Sequence, residues 1–208
     1  MYHRNFSCNV TARRAVRTRT KVARSANCIR PIFITAAFLC AVETSAMADS
    51  TASFEADVIG AAPKGWTATK TGKGDSKWTI EEDKTAPSNS KVVKQSGRAT
   101  YPLLLKDDTD IKDGFVQIKF KAIAGSEDRA GGVVWRARDA NNYYVVRANA
   151  LEDNVVLYKT VEGVRSALDI VGRKGGYGVA IPVPANAWLT LRVDRPIFVN
   201  RARLTRLH

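Results

Sequence analysis

The sequence predicts an all-β fold, a β-sandwich or a barrel over residues 49–194, and two observations support this prediction. First, short segments alternate apolar and polar side chains. In FVQIKFKAIAG, one side carries Val116, Ile118, Phe120 and Ala122, and the other side carries polar residues. Such alternation is typical of a half-buried strand. Second, Gly, Asn and Asp separate these segments, and no segment has the apolar period of about 3.6 residues that marks a helix.

The first element is a targeting segment, residues 1–48. Residues 1–30 contain eight Lys or Arg and no acid, the apolar run PIFITAAFLCAV follows, and Ala46-Met47-Ala48 fits a signal peptidase site. The run is shorter than the roughly 20 apolar residues that span a bilayer. We therefore expect a signal helix, cleavage after Ala48, no stable membrane span afterwards, and a periplasmic or extracellular protein. An organellar presequence and a start codon placed too far upstream are open alternatives.

Composition excludes several function classes. The formal charge of +13 is concentrated at the two ends, and between Asp49 and Asp194 the basic residues exceed the acidic ones by only two, so nucleic acid is not an expected partner. All three cysteines lie before Ala48, and the two histidines are His3 and His208. A Ser-His-Asp triad and a zinc site built on imidazole are therefore not expected. Any catalysis would depend on carboxylates.

The stretch WRARDANNYYVVRAN predicts a hairpin. DANN is a turn sequence, and residues 133–138 and 143–148 would be its strands, with residue 138 opposite residue 143. One face then carries core residues: Val133, Trp135, Ala137, Tyr144, Val146 and Ala148. The opposite face is rich in arginine and would be open to solvent: Val134, Arg136, Arg138, Tyr143, Val145, Arg147 and Asn149. The next strand adds Val156 and Tyr158 to this open face.

The open face suits a carbohydrate or glycoconjugate. Aromatic rings stack on the C–H faces of sugars, and arginine and amide groups bond their hydroxyls. The predicted ligand-binding residues are Arg136, Arg138, Asn142, Tyr143, Arg147, Asn149 and Tyr158. The alternative is that these are ordinary solvated positions on the outside of a sandwich. A further segment, GRKGGYG, lacks the spacing of a phosphate loop and is interpreted as a turn with unusual backbone angles.

The pattern AGGVVWRARDANNYYVVRANALEDNVVLYK, followed by GRKGGYG, resembles the concanavalin A-like, laminin-G-like sandwich domains of exported bacterial proteins. Such domains are named 3-keto-disaccharide hydrolase or family 16 glycosidase-like domains. The resemblance covers residues 53–193. It implies a jelly roll of two packed sheets, a setting outside the cytoplasm and a role related to carbohydrates.

An enzyme is the second possibility, a hydrolase that acts on a 3-keto-disaccharide or another glycoside. Family 16 glycosidases carry an E-x-D-x-x-E strand, but the nearest match, which begins at Glu55, has Gly60 where the last glutamate would stand. Catalysis would then use other carboxylates beside the open face, and the candidates are Asp139, Glu152 and Asp153. No cofactor is required, although Asp107, Asp108 and Asp110 are candidate ligands for Ca²⁺.

The third possibility concerns residues 195–208, a basic tail in which PIFVNRARLTRLH shows neither glycine nor a strand pattern. We expect the sandwich to be incomplete at this end, with a frameshift or early stop replacing its last strands. The chain would then be a truncated, non-functional relic with an unpaired sheet edge and an uncovered apolar face. The sequence leaves the oligomeric state open.

Overall fold

The computed structural model describes residues 5–14, 49–109, 111, 114–195 and 201–206. These residues form strands β1 (Asn5–Arg14), β2 (Asp49–Ala52), β3 (Trp66–Gly74), β4 (Trp78–Glu82), β5 (Lys91–Gln95), β6 (Ala99–Lys106), β7 (Gly114–Ala124), β8 (Ala130–Asp139), β9 (Asn142–Asn149), β10 (Asn154–Val161), β11 (Val164–Ala167), β12 (Val179–Ala180), β13 (Trp188–Arg195) and β14 (Arg201–Arg206). No helix occurs within these ranges, so the all-β prediction is confirmed. The predicted signal helix lies outside the described residues.

The strands form three sheets in which every strand pair is antiparallel. A seven-stranded sheet has the order β14-β13-β7-β1-β5-β4, with β2 also paired to β1. A five-stranded sheet has the order β11-β10-β9-β8, with β12 paired to β10. The third sheet is the two-stranded β3–β6. The described residues contain no helix that is long and apolar enough to cross a membrane.

The main core lies between the seven-stranded and five-stranded sheets. The alternation predicted for β7 is confirmed, since Ile118, Phe120 and Ala122 are all buried. They join one cluster with apolar side chains of the other strands: Phe54, Trp78, Ile80, Val93, Val133, Trp135, Val146, Ala148, Val183, Leu189, Leu191 and Val193. The arrangement is sandwich-like, because each sheet contributes one apolar face.

A second apolar cluster lies on the other face of the five-stranded sheet. Leu103 of β6 packs with Tyr143, Val145, Val156 and Tyr158 of β9 and β10. The β3–β6 pair therefore covers a sheet face that the sequence pattern left open to solvent.

Two glycines at the start of β8 allow close packing. A side chain at Gly131 would place its Cβ 2.2 Å from the ring of Phe120 in the opposite sheet. A side chain at Gly132 would place its Cβ 2.3 Å from the carbonyl oxygen of Val146 on β9. The GG of GGVVW is thus explained by the close approach of β8 to both neighbours.

The two ends of the chain differ from expectation. Residues 5–14, inside the predicted signal segment, form β1 between β7 and β5, where Val10 is opposite Ile118 and Ala52. Residues 201–206, inside the predicted tail, form β14 along β13, with Leu204 opposite Leu191. The statement that the tail has no strand pattern was therefore wrong. Its arginines alternate with Ala202 and Leu204, which is compatible with an edge strand.

Candidate functional site

The predicted hairpin forms, with a change of register near its turn. Val133 is opposite Val146 and Trp135 is opposite Tyr144, and then the register shifts so that Asp139 is opposite Asn142. Arg136 takes up the shift, since its φ of 51° is left-handed. The predicted pairing of residue 138 with residue 143 therefore fits only the tip. Because the shift is two residues in total, the two faces keep the predicted alternation.

The core face was predicted correctly for most positions. Val133, Trp135, Val146 and Ala148 are buried in the main core, and Tyr144 packs against it. Ala137, past the bulge, is exposed.

The face predicted to be open is covered. Tyr143 is 2% exposed, Tyr158 is 5% exposed and Asn149 is fully buried. The prediction of an open sugar-binding face was therefore wrong at these positions. The physical reason is that Leu103 and Leu105 of β6 pack onto the apolar half of this face.

Arg147 is the centre of a polar cluster at one end of this covered face. Its Nη1 donates to Asp128 Oδ1 at 2.9 Å, and its Nη2 donates to Glu152 Oε2 at 2.5 Å. Nη2 also contacts Asn154 Oδ1 at 3.5 Å and the Tyr177 hydroxyl at 3.3 Å. We call these residues, together with Tyr158, the Arg147 cluster.

Two tyrosines border the guanidinium of Arg147. Its Cζ lies 5.5 Å from the ring centre of Tyr158 and 5.9 Å from that of Tyr177, and the two rings meet edge to face. The two hydroxyls share a short hydrogen bond. Burial raises the pKa of Tyr158, and the bond to Tyr177 raises it further, so its phenol stays protonated at neutral pH. Burial acts to lower the pKa of Arg147, but its tyrosine and carboxylate neighbours outweigh that effect and raise it.

A second arginine, Arg165, contacts the middle of the covered face of the five-stranded sheet. Arg165 of β11 donates to the Tyr143 hydroxyl at 2.8 Å and lies 3.5 Å from the ring centre of Tyr101. The Tyr143 hydroxyl also bonds Thr71 Oγ1 at 2.8 Å. Tyr143 is therefore part of the scaffold that joins β9 to β3 and β11, and it is not accessible to a ligand.

The hairpin tip is built from its own hydrogen bonds. Asp139 accepts bonds from the Asn141 backbone N–H at 2.7 Å and from Asn142 Nδ2 at 3.0 Å. Hydrogen bonds from Asn141 and Asn142 lower the pKa of Asp139. Asn142 Oδ1 in turn accepts from the Glu162 backbone N–H at 3.1 Å. Asp139 and Asn142 thus both have hydrogen-bonding roles in the turn, and their predicted catalytic and ligand roles stay predictions.

The remaining predicted site residues separate into two groups. Arg136 and Arg138 are exposed beside the hairpin tip, away from the contacts of the Arg147 cluster. Asn149 is used inside the fold: its Oδ1 accepts from the backbone N–H groups of Arg129 and Leu151, and its Nδ2 donates to Asp128. The structure therefore does not bring all seven predicted ligand-binding residues together.

The other predicted carboxylates differ in availability. Asp153 has a left-handed φ of 46° and accepts from the Val183 backbone N–H at 2.9 Å, which is a turn role. Glu152 has a side chain 36% exposed. Arg147 and Asn154 both bond its Oε2, and Oε1 has no hydrogen-bond partner in the described part of the chain.

Two of the three candidate calcium ligands, Asp107 and Asp108, lie within the described residues. Asp107 accepts a bond from Thr67 at 2.8 Å, and Asp108 has a left-handed φ of 51° typical of a turn. Asp110 lies outside the described residues. Among the residues described, no group of three or more His, Cys, Asp or Glu is placed to hold a metal.

Sequence reasoning missed Asp128, Asn154 and Tyr177 of the Arg147 cluster, and it also missed Arg165 beside Tyr143. Tyr177 lies in GRKGGYG, whose glycines Gly172, Gly175, Gly176 and Gly178 all have positive φ, as predicted for an unusual turn. The side chain of Tyr177 is 52% exposed, which makes it the most accessible aromatic ring of the cluster. The signal that the sequence offered for Tyr177 was a tyrosine placed between glycines.

Comparison of the chain with protein-family models, with curated proteins and with solved structures gives no match.

Proposed function

We propose that this protein is a carbohydrate-binding domain of the jelly-roll, concanavalin A-like type, and that its sugar site is the exposed side of the Arg147 cluster. The observation that carries this proposal is the pairing of an exposed ring with a carboxylate oxygen that has no partner in the described chain. Tyr177 offers the ring and Glu152 offers Oε1. A pyranose can stack on the ring while its hydroxyls bond the carboxylate.

The surrounding contacts support a rigid site. Arg147 contacts both Tyr177 and Glu152, and its own side chain is only 12% exposed. It therefore positions the two groups that would touch sugar. A ring and an acceptor held by buried partners lose little conformational entropy on binding, which favours affinity.

The hydrolase alternative receives less support from these contacts. Of the three candidate carboxylates, Asp139 and Asp153 are bonded within turns, so only Glu152 is available. A glycosidase of either stereochemistry needs two carboxyl groups. A second carboxylate that shares Arg147 with Glu152, Asp128, is 13% exposed and is bonded to Arg147 and Asn149.

The proposal is tested with a glycan array on the 208-residue chain, followed by calorimetry with the sugar that binds. Tyr177→Ala should weaken that sugar by about 1–3 kcal/mol, the range for losing a stacked ring or a charged hydrogen bond. Val171→Ala, on the same loop and 93% exposed, is the matched control and should bind normally. Array silence, or equal binding by both variants, contradicts the proposal. Hydrolysis of a 3-keto-glucoside that Glu152→Gln abolishes would favour the enzyme.

Export belongs to the same proposal and rests on the sequence pattern of residues 1–48. Cleavage after Ala48 would remove β1 and leave the facing edges of β5 and β7 without this strand. N-terminal sequencing of the protein from fractionated cells should begin at Asp49, outside the cytoplasm. A cytosolic protein beginning at Met1 would overturn the export proposal and leave the sugar site untouched.

A further inference from the structure

A cavity of about 830 Å³ lies between the β3–β6 pair, β8 of the five-stranded sheet and the seven-stranded sheet, which contributes Trp78, Val93, Val116 and Ile118. Five consecutive residues of β6, 102–106, and six consecutive residues of β8, 132–137, line it. A strand that turns one face to a cavity contributes every second residue, because its side chains alternate. Consecutive residues therefore mean that β6 and β8 border this cavity with their edges.

Both of these edges lack a strand partner among the residues that the structure describes. In the described chain β6 pairs only with β3, and β8 pairs only with β9. The edge of β8 therefore presents backbone N–H and C=O groups that a further strand could bond. Pro102 on β6 has no N–H to donate, so β8 is the better partner of the two.

The size of the cavity fits one short strand. A strand residue in a packed sheet occupies roughly 160 Å³, from a rise of about 3.3 Å, a strand spacing of about 4.8 Å and a sheet spacing of about 10 Å. A cavity of 830 Å³ therefore holds about five residues. This agrees with the six residues of β8 along its border.

The lining indicates what such a strand would look like. On one side Trp135 and Leu104 belong to the main core, and on the other side Leu103 and Val134 belong to the second cluster. A strand between them would be apolar on both faces, as in the centre of a buried sheet. Trp135 is 4% exposed, and its Nε1 has no acceptor within the described residues, so it can donate to a carbonyl of the incoming strand.

The cavity opens to solvent where exposed residues line it: Thr51, Lys106, Asp108, Thr109, Arg136 and Ala137. Two of these side chains are cationic and one is anionic, so the opening carries a small positive charge. An acidic residue at the end of the incoming segment would complement it.

We propose that this cavity binds an extended segment of another polypeptide, which adds as a strand between β6 and β8. The partner segment has about five β-branched or aromatic residues with an acidic residue at its end. Binding would pair the edge of β8 and would fill the space beside β6. The members of the Arg147 cluster do not line the cavity, so this site is separate from the proposed sugar site.

The probe is the peptide acetyl-Glu-Val-Ile-Val-Ile-Val-Glu-amide, titrated into the 208-residue chain by calorimetry. The control peptide carries proline in place of its central valine, which removes one N–H and disrupts the strand. The first peptide should bind at least about tenfold more tightly, a difference of about 1.4 kcal/mol. Equal binding of both peptides, or of neither, overturns the proposal. A dimer that forms without peptide and excludes it also overturns the proposal, in favour of a second copy as the occupant.

Two variants locate the binding edge. Val134→Lys, at the cavity, should abolish peptide binding, and Val164→Lys should leave it unchanged. Val164 is the matched control because it is 72% exposed on β11, the opposite edge strand of the same sheet. Hydrogen exchange on the unmodified chain gives a second readout that does not depend on the variants folding. Peptide should protect the amides of residues 132–137 and not those of β11, and the reverse pattern would reject the β8 edge.

Discussion

Arg147 Nη2 and Glu152 Oε2 lie 2.5 Å apart and join the interior of the five-stranded sheet to its surface. The arginine end of this ion pair is 12% exposed and the glutamate end is 36% exposed. Arg147 thus supports the fold, while part of the Glu152 side chain remains accessible.

Replacing Arg147 should therefore destabilise the fold. Arg147→Ala removes the guanidinium that pairs with Asp128 and Glu152, and removing one member of a buried ion pair costs about 3–5 kcal/mol. Urea unfolding of the variant measures this free energy. Arg138→Ala is the control, because Arg138 is exposed and its loss should cost less than about 0.5 kcal/mol. Equal midpoints for the two variants would show that the cluster does not stabilise the sheet.

The hydroxyl of Tyr143 should contribute to stability and not to ligand affinity. Tyr143→Phe removes bonds to Thr71 and Arg165, each 2.8 Å long, and should destabilise the protein by about 1–3 kcal/mol. Tyr144→Phe is the matched control, since the Tyr144 hydroxyl has no hydrogen-bond partner among the described residues. Thermal melting distinguishes the variants. A Tyr143→Phe protein that melts like wild type but no longer binds sugar would show that Tyr143 belongs to the ligand site.

Asp83 should make the stability depend on pH. Burial acts to raise its pKa, but hydrogen bonds from Lys121 and Thr85 outweigh burial and hold the pKa below its usual value. Because the folded pKa is the lower one, the stabilisation is complete above the unfolded pKa, about 3.9, and is lost as pH falls through the folded pKa. Asp83→Asn should therefore be less stable than wild type by about 1–2 kcal/mol at pH 7. The difference should shrink below about pH 4, and denaturant unfolding from pH 7 to pH 2 would show whether it does.

The sequence predicted the main core because period-two alternation reports which side chains share a face. It succeeded for Ile118 and Phe120 on β7 and for Val133 and Val146 on the hairpin. Alternation does not report what covers the second face. In β6, Leu103, Leu104 and Leu105 are consecutive apolar residues, so no period indicated that two of them pack on the face of Tyr143.

The candidate site was only partly predictable for a related reason. Arg147 and Glu152 are near neighbours in sequence, and both were named. Asp128 and Tyr177 reach the same guanidinium from loops 19 and 30 residues away. Such contacts depend on tertiary packing, and neither loop contains a motif with the spacing of a known site.

The last prediction concerns the C-terminal strand, where the frameshift hypothesis and the structure lead to different outcomes. If residues 195–208 are unrelated to the fold, changing them should leave stability unaltered. In the structure Leu204 of β14 is half-buried, lies opposite Leu191 and packs against the main core. Leu204→Ala should then destabilise the chain by about 1–2 kcal/mol, less than a fully buried leucine because part of its side chain is already exposed. Thr205→Ala, exposed on the same strand, is the control and should melt like wild type. Identical melting of both variants would show that β14 does not stabilise the sandwich and would favour the frameshift. An independent test of the frameshift is to read the nucleotide sequence after the Val193 codon in the other two frames.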